Sequence, residues 1–390
     1  MLAQVGDLVT REVPFDGDEL VLLLLVPEWD FRPELPRGRP NIRIVAREEA
    51  GIRCDVAASA RAGDRKGAAA HFEEFQERLR CELEGIPADI EETEKLAESF
   101  RFRHSNTDDL VDKCLDRVRN PATPTLCIAP PKLDTPAYSL DWDSAIIRVP
   151  RETAVTVLTR EGSSIEGMHA NLTALCCGNA WVRDSRGNAT IAASGGGVEA
   201  RGMTGDVRIV SRVVRGSAAL RRLGITGASR IDVESSPGGG RDVPAHQLHA
   251  PATIDVREVS GDLHTETDWS TISISGVVGD IRVRNVRGDT EVGLSREYIE
   301  SGSRVDVESL HGDIHLEMEP AEDAQARLET DFGVIEVRGE DLREMFCHTV
   351  GSTDPVFVAT ARQDEMPDPR ISARTDAGSI YAAQGPARTY

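Results

Sequence analysis

Aromatic residues are scarce: four Trp, four Tyr and nine Phe make up 4% of a 390-residue chain. Deep globular cores draw much of their buried area from such rings. The scarcity, together with 34 Gly, favours a thin core. Positive charge is also short, with 45 Lys and Arg against 66 Asp and Glu and a net charge of −21. That balance argues against non-specific binding to nucleic acid or anionic lipid, which needs a positive surface. No basic cluster leads into a long apolar run near the start. The apolar stretch Leu20–Val26 is too short to span a bilayer. Acidic residues precede it and Pro27 ends it, so it reads as a buried strand. Seven scattered cysteines (Cys54, Cys81, Cys114, Cys127, Cys176, Cys177 and Cys347) are odd in number and read as reduced core thiols of a cytoplasmic protein.

Signatures of chemistry are missing as well. There is no phosphate-cradling Gly-rich loop ending in Gly-Lys-Ser/Thr, no His-Glu-x-x-His and no Cys-x-x-Cys. The triplets Gly195–Gly197 and Gly238–Gly240 lack a following helix and read as turns. Adjacent Cys176 and Cys177 would face opposite sides of a strand, which suits no metal site. No metal, cofactor or catalytic residue is therefore expected.

What is present is a repeated phrase between Val259 and Val337: Gly, usually Asp, then apolar–polar–apolar. Its copies begin at Gly205-Asp206, Gly261-Asp262, Gly279-Asp280, Gly288-Asp289, Gly312-Asp313 and Gly333, with a looser one at Gly378. From 261 to 333 the steps are 18, 9, 24 and 21, which suggests a strand-and-turn unit of about nine residues, lengthened in places by loops. Gly supplies a corner conformation and Asp a bond to a nearby backbone N–H. Alternation along the strand puts Val207/Ile209, Ile281/Val283, Ile314/Leu316 and Ile335/Val337 inward. It puts Arg208, His264, Arg282, Glu291, His315 and Glu336 outward, as a single column. His264 and His315 occupy equivalent positions and are expected on the same face. They read as a solvated face using His where other copies use Arg or Glu; a pH-sensitive or metal-binding patch is the alternative. Short coils cannot bury an apolar face alone and must stack, so the fold expected is mainly β, a parallel β-solenoid or β-helix.

The remaining chain divides as follows. Residues 1–63 are N-terminal strands, open to being the first coils. Ile42–Val45 and Ile52–Val56 look like a strand pair across a Glu-Glu-Ala-Gly turn. Residues 64–121 form a helical insertion or cap: Phe72, Phe75, Leu79 and Leu83 recur at helical spacing, Ile90–Phe100 is a second helical stretch, and Thr107 is placed to cap a third that Asn120-Pro121 stops. Residues 122–139 are a Pro-rich connector, and residues 140–390 carry the repeat. Pro33, Pro36 and Pro40 mark an extended loop, and Ser236–Arg241 marks another.

The run Ile147–Val157, with Val149-Pro150 followed by a small loop and a second strand, resembles the bacterial putative-adhesin family of β-strand-repeat proteins. So do Ser260-Gly261-Asp262 and Val278–Val283. The resemblance covers residues 140–385 and, loosely, 15–60. It implies a mostly parallel β-solenoid without enzymatic activity, in a family linked to adhesion, envelope-stress sensing or filament-like scaffolds. The expected function is a non-catalytic scaffold or protein-interaction protein, self-assembling or adhesin-like. Its partner would be another protein or a second copy, met through solenoid ends or faces, with no nucleic acid and no transmembrane segment. The alternatives are a carbohydrate-active enzyme on a parallel β-helix and an envelope-stress or ligand-sensing module. An enzyme would need clustered carboxylates in a groove and exposed rings for sugars, whereas the repeated Asp sit at turns and Trp29, Trp142, Trp181 and Trp269 are dispersed.

Overall fold

The computed structural model describes residues 3–24, 42–85, 90–101, 107–129, 140–159, 162–194, 197–212, 252–267, 269–320, 325–338, 344–349 and 370–384. The loops at Pro33–Pro40 and Ser236–Arg241, with Trp29, His246 and His249, lie outside them. The fold is mainly β, with few helices and mostly parallel sheets, and it is compatible with a β-solenoid. Backbone contacts divide the chain into two units. The first is Met1–Gly187 with Ile191–Gly196 and Val214–His249; the second is Asn188–Thr190, Gly197–Val213 and Ala250–Tyr390.

The first unit holds β1 (Ala3–Val13), β2 (Glu19–Leu24), β3 (Ile42–Arg47), β4 (Ile52–Ala62), β5 (Arg80–Glu84), β6 (Thr125–Ala129), β7 (Leu140–Pro150), β8 (Ala154–Thr159), β9 (Ser163–Glu166), β10 (Leu172–Cys176) and β11 (Ala180–Arg183). Its helices are α1 (Arg65–Arg78), α2 (Ile90–Glu98) and α3 (Asp108–Arg119). One sheet runs β1-β4-β7-β3-β9-β11 and the other β10-β8-β2-β6-β5. Successive parallel strands alternate between the two, so one coil comprises two strands. Both sheets finish with antiparallel strands: β4 and β1 extend the first beyond β7, and β5 extends the second beyond β6. The helices lie against strands: α1 packs on β1 and β4, and α2 on α3 and β8. Leu20 to Leu24 are all buried, which is why that strand reads as an unbroken apolar run.

Several local expectations change here. β3 and β4 do not pair with each other, because β7 lies between them. The helical spacing through Leu83 stops at Arg78, since Arg80–Glu84 is drawn into pairing with β6. Thr107 is buried at the start of α3 with no side-chain capping bond. The side-chain cap that forms is Asp64 on α1, whose Oδ1 accepts the Gly67 N–H at 2.7 Å.

β12 (Ala189–Ser194) is divided between the units. The second unit then holds β13 (Val198–Thr204), β14 (Val207–Arg212), β15 (Ala252–Ser260), β16 (Leu263–Thr267), β17 (Ser270–Val278), β18 (Ile281–Arg287), β19 (Thr290–Leu294), β20 (Val305–His311), β21 (Ile314–Met318), β22 (Gln325–Phe332), β23 (Ile335–Arg338), β24 (Glu344–Thr349), β25 (Ile371–Ala377) and β26 (Ile380–Gln384), with a short helix at Arg296–Ser301. One sheet runs β13-β15-β17-β19-β21-β26-β23 and the other β24-β22-β25-β20-β18-β16-β14. Each coil contributes one strand to each sheet. Its period is therefore two phrases, with a corner after each.

This alters how the repeat stacks. Ile314, Ile380 and Ile335 are register partners in one sheet. Ile281 belongs to the other, in the row Val207, Leu263, Ile281, Val305, Ile371 and Ala326. A nine-residue step moves from one sheet to the other, and an eighteen-residue step, as from Gly261 to Gly279, returns to the same corner. The inward positions are buried as expected, except that Val337 is half-buried. Shared columns of Ile, Val and Leu give each coil an apolar floor and ceiling, which is the source of stability in a stacked fold.

Candidate interaction faces

The repeated glycines fall into two stacked columns. Gly205, Gly261 and Gly279 share one corner; Gly288, Gly312, Gly378 and Gly333 share the other. A Cβ on Gly279 would come within 2.3 Å of the Gly261 carbonyl oxygen, and one on Gly312 within 2.2 Å of that of Gly288. Close approach between coils excludes a side chain at these corners, over and above the φ of +142° and +153° at the two positions.

The aspartates beside them serve the neighbouring coil. Asp206 Oδ1 accepts the Asp262 N–H at 3.1 Å, Asp262 Oδ1 that of Asp280 at 2.8 Å, and Asp280 Oδ1 that of Arg304 at 2.9 Å. At the second corner Asp289 Oδ1 accepts from Asp313 N at 3.1 Å and Asp313 Oδ1 from Ser379 N at 2.7 Å. The bond expected within each turn is thus a bond along the stack. Asn188 makes the same contact to Asp206 N at 3.1 Å, so an amide oxygen suffices. Asp262→Asn should change stability by no more than about 0.5 kcal/mol, whereas Asp262→Ala should cost about 1–2 kcal/mol. Urea titration of the two variants checks this; equal losses would remove the inter-coil role.

A further row escaped the sequence reading. Ser211, Thr267, Asn285, Ser309, Thr375 and Thr330 are register neighbours and all are buried. Asn285 Nδ2 donates to the carbonyls of Ser270 and Gly288 at 3.0 and 2.8 Å, Thr375 Oγ1 to that of Gly312 at 3.1 Å, and Thr330 Oγ1 to that of Gly378 at 2.8 Å. These side chains donate to backbone carbonyls at or beside the corner. The signal was a polar residue three places before Gly288, Gly312, Gly333 and Gly378. At the other corner the same place holds Gly202, Glu258 and Gly276, all with left-handed φ. The two corners are therefore chemically distinct.

The outward residues form two faces rather than one column. Arg208, His264 and Arg282 are neighbours on one sheet, continued by Asp306 and Ser372. Glu291, His315 and Glu336 lie on the other, with Tyr381 between the last two. His264 and His315 consequently point from different sheets, and a shared histidine patch does not form. The His264 ring lies 3.4 Å from Glu266; His315 stacks on Tyr381 with centroids 4.9 Å apart. The first face alternates charge across strands, with Arg282 beside Asp306 at 3.8 Å and Arg284 beside Glu308 at 3.9 Å. These pairs are exposed and add little stability, but they leave a flat, mixed-charge surface.

In the first unit Asp55 is a buried carboxylate on β4. It accepts from Thr10 Oγ1 at 2.7 Å, from Arg53 Nε at 3.1 Å, and from Arg148 Nη1. Burial pushes this carboxyl up, but the hydrogen bonds from Thr10, Arg148 and Arg53 outweigh it and hold it below the usual carboxylate range. Cys54, Cys81, Cys114, Cys127, Cys176 and Cys177 are buried and in no disulfide. Cys54 and Cys81 share a hydrogen bond that raises the first thiol and lowers the second, with Arg11 also favouring the Cys81 thiolate. Burial pushes Cys114 and Cys176 up to about 12. Among the described residues no group of three or more His, Cys, Asp and Glu is arranged to hold a metal, and no helix is long and apolar enough to cross a membrane. Trp181 and Trp269 each lie 6.0 Å from an arginine, Arg183 and Arg287.

By class, the chain is a mainly β protein of mostly parallel stacked strands with ordered outer faces. No family model matches it, and no curated protein matches it. Among solved structures it is similar to one described as a putative cell adhesion protein from Clostridium sporogenes, at 8% identity over 98% of this chain and 100% of that one. The TM-score is 0.19.

Proposed function

We propose that the chain is a non-catalytic scaffold or protein-interaction protein, adhesin-like in that it works through surface contact, with a protein or a second copy as partner. The observation that carries this reading is the use made of the repeated carboxylates. The five corner aspartates, the most regular acidic set in the sequence, spend an oxygen on backbone N–H groups of the stack. On one of the two outward faces arginines stand beside carboxylates of the neighbouring strand, a mixed-charge surface suited to another ordered surface. Buried cysteines outside any disulfide support a reducing, cytoplasmic setting.

Sedimentation velocity over a wide concentration range, run beside a screen of acidic polysaccharides, tests the proposal. Concentration-dependent association, with no turnover of any polysaccharide, is the expected result. A strictly monomeric particle would oppose self-association. Polysaccharide cleavage abolished by Asp262→Asn, a change that keeps the stack, would instead establish the carbohydrate-active alternative.

A further inference from the structure

The last coil in sequence is not the last coil in space. β25 lies between β20 and β22, and β26 lies between β21 and β23. Residues 371–384 therefore occupy a slot whose two walls, Val305–Met318 and Gln325–Arg338, both precede them in the chain. The coil is bonded on both sides. On one wall Val305 N donates to Arg370 O at 2.8 Å and Ile314 N to Ser379 O at 2.9 Å; on the other Gly378 N donates to Phe332 O at 3.2 Å and Ile380 N to Val334 O at 2.8 Å. Ile371, Ala373, Ile380 and Ala382 are buried there, and Gly378 and Ser379 continue the glycine and N–H columns of the corner.

Such an order imposes a requirement. The two walls must stand apart for the coil to enter, because chain order alone would stack one directly on the other. The first unit shows the reverse order at its start: β2 lies between β6 and β8, and β3 between β7 and β9, but there both walls follow the enclosed coil in the chain. Residues 350–370 join β24 to β25, a length that reaches roughly 70 Å when extended. The strand pairing and corner bonds described above are made to the slot, so the coil of another molecule can make the same ones.

We propose that residues 371–384 are an exchangeable coil, and that two copies of this chain associate by each inserting its terminal coil into the other's slot. This deepens the self-association reading and rests on it in naming a second copy as the partner. Exchange reproduces the strand pairing and corner bonds of the closed form, the condition under which domain swapping becomes accessible.

The test uses full-length chains carrying single cysteines at register partners. One pool carries Asp306→Cys and the other Ser372→Cys, positions paired across β20 and β25. The pools are unfolded, mixed, refolded over a concentration series and treated with a short bis-maleimide linker, and linked peptides are read by mass spectrometry. A covalent heterodimer joining positions 306 and 372 is expected, its fraction rising about tenfold per tenfold concentration while it is the minor species. A single chain carrying both substitutions reports the closed form. If that chain links internally while the mixed pools give no 306–372 heterodimer, exchange is overturned. Dimers linked at other positions also overturn it, yet leave association through faces or ends standing. His315→Cys with Tyr381→Cys, partners on the opposite sheet, repeats the measurement should the first pair fold poorly.

Discussion

Gly312→Ala is expected to cost the second unit about 3 kcal/mol, a loss large for a single methyl group. Two effects combine. The φ of +153° lies in a region that side chains avoid, and a Cβ would stand 2.2 Å from the Gly288 carbonyl oxygen. Strain of this kind costs on the order of 1–3 kcal/mol by itself, and the neighbouring coil must also give way. Gly378 and Gly333 continue the same column, so displacement of one corner is passed along the stack. Gly293→Ala is the control, because its Cβ would meet nothing nearer than 3.7 Å, and a change of no more than about 0.5 kcal/mol is expected. Denaturant midpoints of the two variants, followed by circular dichroism, decide the matter. Indistinguishable midpoints would mean that the coils do not stack this closely.

The second large effect is expected at Asp55, where Asp55→Asn should cost about 2 kcal/mol at neutral pH. The carboxylate is 4% exposed and ties β4 to β1 through Thr10 and to β7 through Arg148. Removing one partner of a buried pair leaves the others short of a charge, which costs about 3–5 kcal/mol in fully enclosed cases. Arg53 and Arg148 have side chains 42% and 36% exposed, so water screens part of that loss and the lower figure applies. The sign with pH follows from the depressed carboxyl. Its contribution is complete above the unfolded value of about 3.9 and is lost as pH falls through the lower folded value. The gap between the native protein and Asp55→Asn should therefore close as the solution is acidified below about pH 4. A gap that persisted or widened there would show that Asp55 acts through packing rather than charge.

Much of the architecture was legible in the residues. Alternation after each Gly placed Ile281, Ile314 and Ile335 inward and Arg282, His315 and Glu336 outward, because a strand has a period of two whatever surrounds it. Leu20 to Leu24 was legible as a buried strand for a different local reason, a short unbroken apolar run bounded by acidic residues and Pro27. Local pattern does not, however, say which sheet a strand joins. Gly279 and Gly288 carry the same phrase but sit at opposite corners, so His264 and His315 could be assigned to one face by spacing and lie on two in space.

The residues by themselves determined that short strands alternate, turn at glycine and bury aliphatic columns, since those properties depend on a side chain and its near neighbours. Only the tertiary structure decided that a coil takes two phrases, that the corner aspartates bond the next coil, that Asp55 gathers its three partners, and that residues 371–384 enter between earlier coils. These depend on hydrogen bonds between strands distant in sequence, and many registers would satisfy the same local pattern. The set in which the corner aspartates, Asn285, Thr330 and Thr375 reach their backbone partners emerges only when the whole stack is assembled.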